Sequence, residues 1–407
     1  MKNSPTICII GAGIGGVTLA RTLQQRGIPY HLFEQAPQFG EVGAGIQMTP
    51  NAVKVLEQLK LGDELREVGF LPEAMVGRDW HSGKELFHTP LKGVCPSLYG
   101  ANFYHVHRAD LHAILTEGLS KDCITFNTRC VAIDWDQEKP VARFDDGSSF
   151  EADMIVGGDG IHSVVRNSMW GKDDPAFTGH MCWRAVVPVD EFPFSFVEPA
   201  ASFWMGPRAH VVTYYVKGGK GVNIVAVKET DEWVKESWVE PSSTEELLAA
   251  FEGWHSDLIQ LFERTSKTQV FKWGLYDRDP MAQWSRRTTT LLGDAAHPML
   301  PYLSQGAAMA IEDAYVLAEA IEYFEGNLER ALEAYESERR PRTSRVQLES
   351  RERGRTYHLE SPEEQKKRDL EMQQKQEKNP NASGIKAEWV YEYDARKCSE
   401  RFNTLKV

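Results

Sequence analysis

The sequence predicts an α/β chain in which a parallel sheet with helical crossovers is interrupted by an antiparallel sheet and followed by a helical region. Three observations carry that expectation. The first 34 residues read as strand, glycine turn, helix and strand; two later apolar runs, at 153–156 and 288–292, also end in turns that carry Gly and Asp; and residues 175–280 change to short alternating stretches rich in β-branched and aromatic side chains.

Residues 6–10 form the first buried strand, 11–16 a tight turn, 17–25 a helix stopped by Gly27, and 30–33 a second strand. Two parallel neighbours need a crossover, and the helix supplies it. The stretches 210–216 and 222–227 read as strands of an antiparallel wall. From Gly306 the helical period returns, with Ile311, Ala314, Leu317, Ala318 and Ile321 on one face. The run 349–378, dense in Glu, Lys, Arg and Gln, reads as a solvated helix. The organisation expected is a first dinucleotide-binding segment at 1–174, a substrate-binding sheet at 175–280, a second dinucleotide-binding segment at 281–345 and a helical tail at 346–407.

At 407 residues the chain can bury a cofactor crevice between two packed units. A net charge of -13 and no long Lys/Arg stripe argue against nucleic acid as a partner, while a few local cations could still serve an anionic small molecule. Six cysteines without Cys-x-x-Cys spacing argue against a disulfide frame or zinc cluster. No run approaches a membrane span and no leader is expected, so the location expected is cytoplasmic, without a membrane partner, as monomer or homodimer.

Gly11, Gly13 and Gly16 fit G-x-G-x-x-G directly between a strand and a helix. Glycines there allow a pyrophosphate to approach the helix N-terminus, whose unpaired N–H groups favour phosphate. Glu34, with Gln35 beside it, ends the next strand where a carboxylate would accept ribose hydroxyls. A dinucleotide follows, and a second segment narrows it to FAD. Asp294 follows a strand and suits ribityl hydroxyls, while the helix beginning at Gly306 and Ala307 would face the negative charge of a reduced flavin.

A third segment, Gly157-Gly158-Asp159-Gly160 with Arg166 beyond it, stands between the other two. In this order and spacing the chain resembles the single-component flavoprotein aromatic hydroxylases over about residues 5–345, the group that includes the para-hydroxybenzoate, salicylate, 3-hydroxybenzoate and 6-hydroxynicotinate hydroxylases. The resemblance implies that Asp159 lies near the region shared by FAD and NAD(P)H and that Asp294 holds the ribityl chain. The loop from Val42 through Gly45 to Gln47 resembles the one that passes the flavin, and Arg108 the arginine that reaches FAD; a surface cation beside Asp110 is the alternative for Arg108. The chemistry implied is reduction of FAD by NADH or NADPH, addition of O2 to give a flavin C4a-hydroperoxide, and hydroxylation of an electron-rich ring, with or without loss of a carboxylate. No metal is required.

The base candidate is His210, which period two places on one face with Val212 and Tyr214. A satisfied core histidine with a packing tyrosine is the alternative, and the 3-hydroxybenzoate and 6-hydroxynicotinate hydroxylases carry a similar pair. Gln47, Trp204, Trp183, Pro298, Met299, Pro301 and Tyr302 are further pocket candidates, and Arg208 a candidate for a substrate carboxylate. Gln47 departs from the histidine associated with 6-hydroxynicotinate enzymes, and Pro301 from the glutamine of 3-hydroxybenzoate enzymes. The substrate expected is a hydroxylated aromatic or pyridine carboxylate. Epoxidation or antibiotic modification on the same scaffold, and a flavin-binding protein without catalysis, are the alternatives.

Overall fold

The computed structural model describes residues 4–40, 43–135, 137–189, 197–231, 240–379 and 388–402. Its first layer is a five-stranded parallel sheet in the order Thr289–Leu291, Met154–Gly157, Ile7–Ile10, Tyr30–Phe33, Ile124–Thr125. Ile7–Ile10 is buried at every position, the unbroken apolar run of a strand covered on both faces. The helices Ile14–Gln25 and Gly306–Tyr323 pack against each other beside it, where a β-carbon on Gly15 would meet Leu292 Cδ1 at 2.5 Å and Ala310 Cβ at 3.2 Å. Three strands that end in glycine turns thus lie side by side, and their turns share one edge of the sheet.

The second layer is an eight-stranded wall in the order Glu240–Ser242, Val270–Asp277, Ala176–Pro188, Gly221–Glu229, Ala209–Val216, Ala200–Gly206, Ala74–Asp79, Glu85–Pro90. It departs from the expectation in two ways. The hairpin Ala74–Asp79 and Glu85–Pro90 joins the wall although it lies far inside the segment 1–174, and Ala74–Asp79 runs parallel to Ala200–Gly206, so the sheet is not wholly antiparallel. Such pairing across more than a hundred residues leaves no local trace in the sequence.

The wall buries both faces. Its outer face packs Trp183, Trp204, Val211 and Tyr215 under the helices Thr244–Ala250 and Ser256–Glu263, while its inner face packs Cys182, Val212 and Tyr214 with Leu300, Tyr302 and Tyr357. The boundary expected at 345/346 falls within one continuous helix, Leu328–Tyr357. This helix crosses from the parallel-sheet unit to the wall. Gly354 permits the crossing, because a β-carbon there would meet Tyr302 Cε2 at 2.5 Å. The charged run beyond is a separate helix, Pro362–Lys378, solvated except along Arg368 and Met372, and Glu388–Glu392 then returns to cover the helix Pro50–Gln58. Among the described residues no helix is long and apolar enough to cross a membrane.

Candidate active site

Backbone builds one half of the site. A cleft of about 430 Å³ is lined by Gly11, Ala12, Gly13, Glu34, Gln35, Arg129, Gly158, Asp159 and Gly160 among others. Gly11 has φ +98°, and its β-carbon would meet Gly158 O at 2.6 Å; a β-carbon on Gly16 would meet Gly11 O at 1.9 Å. Those two glycines close the turn. Gly13 differs, because a β-carbon there meets no protein atom within 4 Å, and no side chain caps the helix it begins. The space before that helix is therefore kept clear for a ligand, with unpaired N–H groups aimed at it.

Glu34 accepts hydrogen bonds from the backbone N–H of Ala12 at 2.7 Å and of Ala36 at 2.8 Å. Each carboxylate oxygen has a further lone pair, so ribose hydroxyls can still be received. Asp159 accepts from Ser163 Oγ at 2.5 Å, Val164 N at 2.7 Å and Val165 N at 3.1 Å. Burial pushes its pKa up and these hydrogen bonds oppose the rise. Its side chain thus holds the start of the helix Val164–Trp170, and the turn it fixes lines the cleft.

The second glycine-led helix repeats the design. A β-carbon on Gly306 meets nothing within 4 Å, and no side chain caps the helix Gly306–Tyr323 that Gly306 and Ala307 begin. Asp294 is exposed by surface area, yet the surrounding protein desolvates it enough to raise its pKa, against the fields of His297 and Arg108. A carboxylate that is both accessible and enclosed lines a crevice. Arg108, at the start of the helix Arg108–Thr116, donates its N–H to Ala44 O at 2.8 Å, and His112 on the same helix bonds Ala12 O at 2.7 Å. That helix ties the loop at 43–47 to the glycine turn; Val42 lies outside the described residues. These donors and acceptors fit FAD: two uncapped helix starts for its anionic parts, and carboxylates for its hydroxyls.

Behind this crevice lies a buried ionic cluster. Arg339 pairs with Glu312 and, through Nε at 2.8 Å, with Asp313, while Arg342 Nε pairs with Glu312 at 2.8 Å. Asp313 also receives Gly293 N at 3.1 Å and His297 Nε2 at 2.5 Å. Burial alone would raise both carboxylates, but Arg342 and Arg339 hold Glu312, and His297 with Arg339 holds Asp313, below the ordinary pKa. The Asp294 turn is thereby anchored from below.

Side chains of the wall build the other half. His210 and Tyr214 share the inner face, as period two requires, with Val212 between them. Next to Tyr214 stands Asn223, whose Oδ1 accepts Gly45 N at 2.7 Å. Gly45 must be glycine, since a β-carbon would meet Tyr214 Cε2 at 2.6 Å. Gln47 lies opposite His105, whose ring is 4.6 Å from that of Tyr214. Gln47 Nε2, Asn223 Nδ2 and both ring nitrogens of His105 are buried without a hydrogen-bond partner among the described residues. Orphaned polar atoms of this kind mark a place built for another polar group. Burial lowers His105 to about 3, so its ring is neutral, and raises the Tyr214 phenol.

Pro298 is buried, with its carbonyl held by Gln347 Nε2 at 2.9 Å; Pro301 is exposed at a turn, and Met299 is half-buried between them. Tyr302 follows, its ring 5.2 Å from that of His210. The Pro-rich segment therefore covers the His210 end of the inner face, while the Gly45 strand covers the Tyr214 end.

Three candidates fall elsewhere. Trp204 pairs with Val211 and stacks on His255 on the outer face, and Trp183 packs there against Phe251, because the register puts their parity opposite to that of His210. Arg208 sits at the hairpin turn with φ +52°, its Nε 3.1 Å from Glu229 Oε2, so it serves a carboxylate of the protein. A different arginine takes the inner face. Arg184 alternates with Trp183, stacks over Trp273 at 4.1 Å, and its charge acts on Tyr214. The alternation Cys182-Trp183-Arg184 was the signal for it. His358 also arrives there, at the end of the long helix, with Nε2 2.6 Å from His210 Nδ1. Its signal was an aromatic pair, Tyr357-His358, after a glycine in a charged run.

The fold, crevice and wall define a flavoprotein oxygenase, and the chain belongs to the FAD binding domain family, which it matches over residues 4–350. It is an FAD-dependent aromatic-ring monooxygenase. It is 42% identical over 338 residues to the 3-amino-4-hydroxybenzoate 2-monooxygenase PtnB3 of Streptomyces platensis, covering 83% of this chain and 85% of the relative. To the 6-hydroxynicotinate 3-monooxygenase of Bordetella bronchiseptica (strain ATCC BAA-588 / NCTC 13252 / RB50) it is 40% identical, covering 79% and 84%. A solved salicylate hydroxylase substrate complex superposes with a TM-score of 0.80 at 26% identity, over 99% of this chain and 98% of that one.

Proposed function

We propose that the protein uses NADH or NADPH and O2 to hydroxylate an aromatic or pyridine ring that bears both a hydroxyl and a carboxylate. The observation that carries this reading is the inner face of the wall, where a neutral His210, the Arg184 cation and Tyr214 stand in line beside the FAD crevice. FAD, once reduced, supplies the electrons that activate O2. Everything else is the task of the protein. His210, its pKa pushed well down by burial and by the neighbouring His358 and His180, is unprotonated at neutral pH and can take the proton of a ring hydroxyl. Arg184 offers a carboxylate a planar, permanently charged fork, and Tyr214 and Gln47 donate to the remaining oxygens. The Pro298–Tyr302 cover and the apolar floor of Val212 exclude water from the reacting ring.

The test is a panel of 3-amino-4-hydroxybenzoate, 6-hydroxynicotinate, 3-hydroxybenzoate and salicylate, with NADH oxidation, oxygen uptake and product mass followed together. At least one acid should stimulate NADH oxidation with a product one oxygen heavier, or one oxygen heavier and lacking CO2. Uncoupled peroxide formation with every acid would sink the reading, and an epoxidised non-phenolic product would replace it.

A further inference from the structure

A second group of donors converges at one end of the wall. His180 and Glu229 face each other in register across the strands Ala176–Pro188 and Gly221–Glu229, and His358 reaches them from the end of the helix Leu328–Tyr357. Oε1 of Glu229 lies 3.3 Å from Nδ1 of His358 and 3.9 Å from Nε2 of His180. The three residues each place one ligand atom within 4.8 Å of the others.

Burial, charge and access mark this corner as a receptor for a cation. Nδ1 of His358 is buried and makes no hydrogen bond among the described residues, and the side chain is only 1% exposed, so water does not reach it. A buried nitrogen without a partner calls for one. The ring is held in place: its Nε2 lies 2.6 Å from Nδ1 of His210, and the rings of His180 and Tyr302 stand edge-on to it. On the far side of the carboxylate, Nε of Arg208 lies 3.1 Å from Oε2 of Glu229, while Asp231 faces Arg208 Nη2 at 3.5 Å. The two carboxylates exceed the one guanidinium by a charge, and Oε1 is left to the imidazoles. Glu229, whose side chain is 31% exposed, opens the corner to the surface.

Two imidazole nitrogens and one carboxylate oxygen suit Zn2+ and its late first-row neighbours, whereas Mg2+ and Ca2+ take oxygen ligands. Zinc bonds of about 2.0–2.2 Å draw the three atoms closer together than they stand. Rotation of His180 and Glu229, which are less buried than His358, supplies that closure.

We propose that His180, Glu229 and His358 bind one Zn2+ ion, with water as the fourth ligand, and that the ion pins the end of the long C-terminal helix to the wall. The inference does not rest on the reading of His210 as the base, and hydroxylation itself requires no metal. The three ligands come from segments far apart in sequence and meet only in the folded chain, so zinc binds the native state and stabilises it by mass action.

The experiment uses untagged, FAD-loaded enzyme treated with a chelator and then dialysed against ZnCl2, with metal analysis and thermal unfolding. One Zn2+ per chain should bind, and at zinc about 100-fold above Kd the unfolding midpoint should rise by roughly 2–5 °C. His180→Gln and Glu229→Gln should each weaken binding by at least ~100-fold and abolish the rise. His88→Gln, which removes an exposed imidazole elsewhere on the wall, should keep both. Absence of zinc at one equivalent in the wild type, or undiminished binding in both ligand variants, overturns the proposal. Should those variants fail to fold, zinc K-edge absorption of the wild-type complex decides: two imidazoles with oxygen at about 2.0–2.2 Å support the site, and a shell of oxygen alone or a single imidazole overturns it.

Discussion

The crevice and the wall reach the same site by opposite means. On the crevice side the functional groups are mainly backbone N–H groups at two helix starts, and the side chains that matter, Glu34 and Asp159, are fixed by partners two to six residues away or by the glycine turn itself. On the wall side every functional group is a side chain, and its partners are remote in sequence: His210 meets His358, Tyr214 meets His105, and Asn223 meets Gly45. A shared cofactor calls for a rigid, general receptor, which backbone supplies. Choice of substrate calls for side chains, which can change without disturbing the fold.

The effect on cofactor binding that sharpens this contrast most is at Gly13. Valine there meets no protein atom at its β-carbon, so the chain should fold, but its branches fill the space before the helix. FAD content per protein should drop by roughly 100-fold in affinity terms, about 2–3 kcal/mol, with the thermal transition of the cofactor-free protein unchanged. Absorbance near the flavin band and calorimetry check both halves. Equal flavin loading would break the claim that this glycine is kept for the ligand rather than for the turn.

Arg339→Met tests the anchoring beneath the Asp294 turn. It leaves the Asp313 carboxylate buried without its arginine partner, and stability should fall by about 3–5 kcal/mol in denaturant titration. Arg345→Met, which removes an exposed pair with Glu349, should cost about 0.5 kcal/mol or less. Similar losses in the two variants would mean that the cluster does not anchor the turn.

The same contrast explains what the sequence discloses. G-x-G-x-x-G, the Asp159 turn and the Asp294 turn are local patterns whose geometry is set within a few residues, so the parallel sheet, the crevice and FAD were all legible. Period two placed His210 and Tyr214 on one face correctly, because alternation is also local. It could not say that Trp204 and Trp183 have the other parity, since that depends on register between strands far apart in sequence. Nor could it place the hairpin at 74–90 in the wall, turn Arg208 toward Glu229, or bring His358 across some 150 residues to His210. A charged helix reads as solvated because composition averages over both of its faces; the few residues that dock it, Gly354, Tyr357 and His358, are outvoted by their neighbours.

The smallest of the three effects is the most specific to the wall. Arg184→Met keeps an apolar stem while removing the guanidinium, its charge and its contact with Trp273. If the inner face binds a ring carboxylate through this guanidinium, the loss is that of one charged hydrogen-bonding partner, about 1.5–3 kcal/mol, and KM for a ring acid should rise by roughly 10- to 100-fold with kcat changed far less. A phenol of the same shape without the carboxylate should be indifferent to the substitution. FAD content should not change, because Arg184 stands on the wall and the crevice is assembled elsewhere. A fall in kcat at unchanged KM would instead assign the cation to the reacting centre, through its field on Tyr214, and the division of labour drawn here, with backbone holding the cofactor and wall side chains holding the acid, would need to be redrawn at that residue.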